Sequence, residues 1–133
     1  MSDLATALWE RADESLRAAR HVLSVSCDAA TSRAYYAAFY AVSALFALEG
    51  KEFRKHSAVE AAVHRDLVKA GRWTKELGAA YSFLAEMRTT GDYGDLERVA
   101  PQEAAEAVKV AESILQAVSQ YDPGVFSLSD KTR

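Results

Sequence analysis

The chain has 133 residues, half of them apolar and 26% charged, with a formal net charge of −3. That length holds one domain with its own core and no need of metal or disulfide staples. The acidic balance argues against a strong non-specific nucleic-acid binder, which needs a basic excess to displace counterions from phosphate. A single cysteine, Cys27, excludes an internal disulfide and points to a reducing, cytoplasmic setting. The opening MSDLATALWERADE lacks a basic region followed by an apolar run, so no signal peptide is expected. The longest apolar stretch, from Ala34 to Leu48, is shorter than the roughly 20 residues a bilayer requires. It reads as a buried helix.

Helix 1 is expected from Asp3 to Leu23, capped by Ser2, with Leu8, Ala12, Leu16, Ala19 and Leu23 as its apolar stripe. Helix 2 is expected from Asp28 to Glu49, stopping at Gly50. It is apolar nearly all round, and a helix with no polar face has to be covered on several sides. That makes it the central helix, with any uncovered remainder a subunit interface. Helix 3 is expected from Ser57 to Ala70, with Ser57 and Glu60 at capping-box spacing. Helix 4 is expected from Thr74 to Thr90, before Gly91 and Gly94 loosen the chain. Helix 5 starts at Pro101, a favoured first-turn residue, and stops at Asp122-Pro123-Gly124. No alternating run of β-branched residues suggests a sheet. The expected fold is therefore all-α: an up-and-down bundle of about five helices over residues 1–122, in which helix 3 is the short one. Residues 123–133 form a polar tail.

Glycine-rich phosphate loops, paired-cysteine motifs and nucleophile elbows are all missing. Three histidines and one cysteine make a protein-held zinc site improbable. Neither a metal nor another cofactor is expected. Three local features remain. Arg33 and Tyr36, at the head of helix 2, share a face, as do Tyr36 and Tyr40. Packing demands the same spacing, so Tyr35, Tyr36, Phe39 and Tyr40 read as core or interface aromatics before they read as ligand contacts. Lys55 and His56 stand at the start of helix 3, where basic side chains could hold a phosphate or could simply be solvated. Arg88 and Asp92, followed by Tyr93, close helix 4. The bland reading of Arg88 with Asp92 is an ion pair one helical turn apart.

Together SRAYYAAFYAVSALF in helix 2, KHS at 55–57, VKAG with Lys69 and Gly71, and EMRTTGDYGD from Glu86 to Asp95 resemble the HEPN superfamily. Within it they resemble the UPF0332-type branch, over nearly the whole chain from Leu4 to Val118. The resemblance implies a helical bundle that commonly dimerises. It implies relatives that include metal-independent endoribonucleases, many encoded beside a minimal nucleotidyltransferase as the toxin or accessory half of the pair. Active members place an Arg, and a His shortly after it, at a dimer cleft. Arg88 matches that Arg, but Asp92-Tyr93 stands where the His would be. Metal-free RNA cleavage needs a base, a proton donor and a cation. Arg88 supplies the cation; a solvated Asp92, with a pKa of about 3.9, is a weak base. His56 could supply the imidazole if helix 3 begins near the end of helix 4.

The resulting reading is a nucleotide- or RNA-directed module of a toxin–antitoxin-like system, paired with a minimal nucleotidyltransferase. Its catalytic motif is altered, and Tyr93 is a candidate acceptor hydroxyl. The expected site comprises Arg88, Asp92 and Tyr93, with Arg33, Tyr36, Lys55 and His56 as nucleotide or RNA contacts. A homodimer is expected and a membrane is not. Two alternatives stand beside it. One is an active endoribonuclease using Arg88 with His56 or Asp92. The other is a non-catalytic helical interaction module.

Overall fold

The computed structural model describes residues 3–93 and 98–128. Ser2, Gly94 and Asp95 of the sequence reading lie outside them. Five α-helices follow in order: α1 Asp3–Val22, α2 Cys27–Leu48, α3 His56–Ala62, α4 Lys75–Tyr93 and α5 Pro101–Ser119. No strand occurs among the described residues, and none of their helices is long and apolar enough to cross a membrane.

Local chemistry sets most of the boundaries. Ser26 caps α2, its Oγ accepting from the Ala29 N–H at 3.1 Å. The far end closes as a Schellman motif around Gly50, whose φ of 80° favours glycine. The Lys51 N–H reaches the Phe46 carbonyl at 2.8 Å and the Gly50 N–H the Ala47 carbonyl at 3.0 Å. Thr74 caps α4 through the Leu77 N–H at 3.1 Å. Glu103 reaches back to the Ala100 N–H, also at 3.1 Å, to seat Pro101 at the start of α5.

The central position of α2 follows from its composition. It packs against α1, α3, α4 and α5. Ala34, Ala37, Ala38, Ala41 and Ala44 are all fully buried, and their small side chains let neighbouring helices approach closely. Val42, Leu45 and Phe46 fill the remaining core with Leu16 of α1, Leu84 of α4 and Leu115 of α5.

Helix 3 departs from expectation. It starts at His56, with Lys55 as an extended N-cap that makes no side-chain bond, so the Ser57–Glu60 capping box does not form. The Glu60 carboxylate instead accepts from Ser82 Oγ at 2.7 Å. Beyond Ala62 the chain widens into a π-helix, Val63–Val68. Its wider turn carries His64 Nε2 to 2.8 Å from Ser82 Oγ. Helix α4 also runs past Thr90 to Tyr93. Gly91 does not end it, because Gly91 lies against the start of α2. A Cβ there would stand 3.0 Å from the Asp28 carbonyl oxygen. The segment after Pro123 is docked over its first residues. Phe126 is fully buried against Trp9, their ring centroids 5.1 Å apart, and Trp9 Nε1–H donates to the Ser127 carbonyl at 2.8 Å.

Candidate functional site

Three elements converge on one side chain. Tyr35, in the first half of α2, is 2% exposed. On α4, Tyr81, Leu84 and Arg88 share a face, so Arg88 extends the buried stripe beyond the core and lays its guanidinium over the Tyr35 ring, 5.0 Å from the centroid. The start of α3 brings His56 Nδ1 to 2.7 Å from the Tyr35 hydroxyl. The imidazole is fixed on its other side by Phe39, stacked at 4.3 Å with 10° between the planes. A cleft of about 500 Å³ opens here, lined by His56, Glu60, Ser82, Arg88 and Thr89 with Tyr35 beneath.

Electrostatics follow from that packing. Burial pushes the Tyr35 hydroxyl up to about 12, so it keeps its proton at neutral pH. Burial, and then the nearby Arg88 charge, hold His56 below its usual value, so its ring is neutral at pH 7. The unfolded chain protonates this histidine below about pH 6.5. The unfolded state therefore binds more protons as pH falls, and the folded state loses stability from there down through the lowered folded value. Melting curves at pH 7 and pH 5 should show a smaller loss in His56→Gln than in the parent chain. An equal loss in both would mean that His56 is not desolvated.

The structure brings together some of the expected residues and separates others. Arg88, His56 and Tyr36 meet: the Tyr36 ring lies 5.8 Å from His56 and 6.0 Å from the Arg88 guanidinium. Arg33 rests on that same ring at 4.9 Å, but it lines a neighbouring groove with Asp92. Asp92 pairs loosely with Arg88 at 3.7 Å. Lys55 is exposed beside His56 and does not line the cleft. Tyr93 is the last residue of α4, and its side chain lies outside the described residues. Tyr35, Glu60, Ser82 and His64 were not expected in the site from the sequence, Tyr35 reading as a core aromatic and Glu60 as a cap. Glu60 of α3 meets Ser82 across the bundle, and His64 of the π-helix joins them at Ser82. Among the described residues no group of three or more His, Cys, Asp or Glu is placed to hold a metal ion.

A latch outside the cleft ties the residues just before α5 to the start of α2. The Asp28 carboxylate, at the start of α2, accepts from the Val99 N–H and from Arg98, both at 2.9 Å. Those two bonds hold its carboxyl below the usual aspartate value. A second groove, between the start of α4 and the end of α5, is lined by Arg72, Trp73 and Tyr121. The Arg72 guanidinium is already engaged by Glu49 and by the Tyr121 ring, which makes this groove the weaker candidate for an anion.

Comparison with known proteins agrees with the helical fold. A UPF0332 protein of Thermotoga maritima is 44% identical over 91 residues, covering 68% of this chain and 69% of its own. A Methanocaldococcus jannaschii protein named as a candidate toxin is 29% identical over 115 residues, covering 86% of this chain and 78% of its own. The crystal structure of TT1696 from Thermus thermophilus superposes with a TM-score of 0.74 at 25% identity, over 87% of this chain and 96% of that one. The HEPN domain profile matches residues 5–121, almost the entire helical bundle, and the chain belongs to the HEPN domain family.

Proposed function

We propose that this HEPN domain is an RNA-directed module of a toxin–antitoxin-like pair, and that its cleft seats one phosphate of a single-stranded RNA between Arg88 and His56. The observation that carries the reading is the Tyr35 ring system, which places a guanidinium and an imidazole at one opening. Arg88 offers the charge and His56 a ring nitrogen; Tyr36, half-exposed with Arg33 and Arg88 against it, offers a surface on which a base can stack. The relative named as a candidate toxin supports the toxin–antitoxin setting, with a minimal nucleotidyltransferase as the proposed partner.

The same groups suit metal-independent transesterification. The ribose 2′-oxygen attacks phosphorus and the bond to the 5′-oxygen breaks. Arg88 balances the added negative charge. Glu60, one of two carboxylates lining the cleft beside Glu86, takes the 2′-hydroxyl proton, and His56, protonated beside the bound phosphate, gives its proton to the leaving oxygen. The test is to incubate total RNA and the purified protein in EDTA, beside Arg88→Ala, and to measure binding of a short labelled single strand. Binding that needs Arg88 supports an RNA-directed cleft, and 2′,3′-cyclic phosphate ends in the parent reaction alone add the nuclease step. Equal binding by both proteins sinks the reading.

A second copy of the chain is proposed to cover the partly exposed Phe39 and Tyr40 on α2, a surface that leaves Tyr36 to the cleft and continues through Leu8 toward the exposed Leu4. Phe39→Asp should shift the light-scattering mass from dimer to monomer. A parent protein already monomeric at micromolar concentration removes the dimer from the reading.

A further inference from the structure

We propose that Tyr35 is the positioning residue of this cleft: its hydroxyl donates to His56 Nδ1 and fixes the imidazole as the Nε2–H tautomer, while its ring face sets the direction of the Arg88 guanidinium. The cleft therefore meets its ligand with two aligned donors. The assignment of the tautomer stands on geometry alone; its consequence for RNA rests on the function proposed above.

A neutral imidazole carries one proton on two nitrogens, and the partner of one nitrogen decides where that proton sits. Tyr35 Oη lies 2.7 Å from Nδ1, the short range of a good hydrogen bond. A phenol is a strong donor and a weak acceptor, whereas an unprotonated imidazole nitrogen is a strong acceptor. The favoured arrangement is O–H···Nδ1, which leaves the single ring proton on Nε2. A half-turn of the ring would keep its stack on Phe39, 4.3 Å away, but would put the Cδ2 carbon where Nδ1 meets the Tyr35 hydroxyl, so the hydrogen bond itself holds Nδ1 on that side. Tyr35 itself is fixed by burial, with Tyr81 packed beside it at 6.2 Å between centroids.

Two consequences follow. In the resting protein His56 is a donor toward the cleft and has no lone pair there with which to act as a base. When a bound phosphate draws a second proton onto the ring, Nδ1–H donates back to the Tyr35 oxygen, so the same contact serves both charge states. Arg88 is set independently, through the Tyr35 ring face rather than its hydroxyl, and Tyr35→Phe removes one device while keeping the other.

The test uses nitrogen-detected NMR of the ¹⁵N-histidine-labelled full chain at a pH where His56 is neutral. The parent protein is expected to show an unprotonated Nδ1 and a protonated Nε2. In Tyr35→Phe the two nitrogen shifts should move toward each other as the tautomers mix. Arg88→Ala should leave the tautomer in place. Binding of a short fluorescein-labelled single-stranded RNA should weaken about twofold to tenfold in Tyr35→Phe, the worth of one neutral hydrogen bond. A parent ring protonated on Nδ1, or shifts unchanged in Tyr35→Phe, overturns the proposal. Should Tyr35→Phe fail to fold, the parent spectrum alone still decides the tautomer. A changed tautomer with unaltered RNA binding upholds the role of Tyr35 and removes RNA as the ligand. An unchanged tautomer with weakened RNA binding does the reverse.

Discussion

Arg88→Ala should lose RNA affinity by roughly tenfold to a hundredfold, the range for removing one charge-assisted hydrogen bond. The slope of log affinity against log salt should fall by about 0.7, the share of a single phosphate contact on a single strand. If the parent cleaves RNA, the rate should fall by about a hundredfold to a thousandfold, as when a group stabilising transition-state charge is removed. Arg88→Lys keeps the charge but loses the planar fork and its fit to the Tyr35 face, so it should recover only part of either effect. Arg88 lies at the rim of the cleft, and its removal leaves the buried Tyr81 and Leu84 of the same α4 face in the core, so the mutant should still fold. A melting curve close to the parent's makes a lost affinity attributable to the cleft. Parent-like affinity at every salt concentration would mean that Arg88 closes a helix and does nothing more.

Leu45→Ala should cost about 2–5 kcal/mol. Leu45 is fully buried on α2, and the neighbours Ala41 and Ala44 carry no side chain long enough to swing into the gap. The site cannot collapse, so the cavity term adds to the lost transfer energy. Against a total stability of about 5–15 kcal/mol, that corresponds to a fall in Tm on the order of 10 °C. Thermal and urea unfolding measure it. A change below about 1 kcal/mol would contradict the central placement of α2.

The architecture was legible because its signals are local and repeated. A helix with no polar face has one place to go in a small bundle, and α2 is there. Gly50, Thr74 and Pro101 mark turns of chain by chemistry that acts within a few residues. The site was only half legible. Arg88 and His56 could be named, but whether they meet depends on how α3 sits against α4, a distance that no periodicity encodes. Tyr35 was hidden because its spacing is that of packing, and it does pack; its hydroxyl acquires a role only when α3 delivers an imidazole to it. The Ser57–Glu60 pattern misled for a related reason. The carboxylate had a partner across the bundle in Ser82, and the π-helix after Ala62 carries no compositional mark in VHRDLV.

The Trp9 contacts to Phe126 and Ser127 bear on the order in which the molecule assembles. The Trp9–Ser127 hydrogen bond joins residues 118 apart in sequence, so making it first would close a loop of nearly the entire chain. The entropy of such a closure grows with loop length, and the bundle must already have shortened the loop before the bond forms at little cost. The indole is therefore among the last groups to dock during refolding and among the first to open in the native state. Its N–H should exchange with solvent well before the amides of α2, and Trp9 fluorescence should trail the helix signal in a refolding trace.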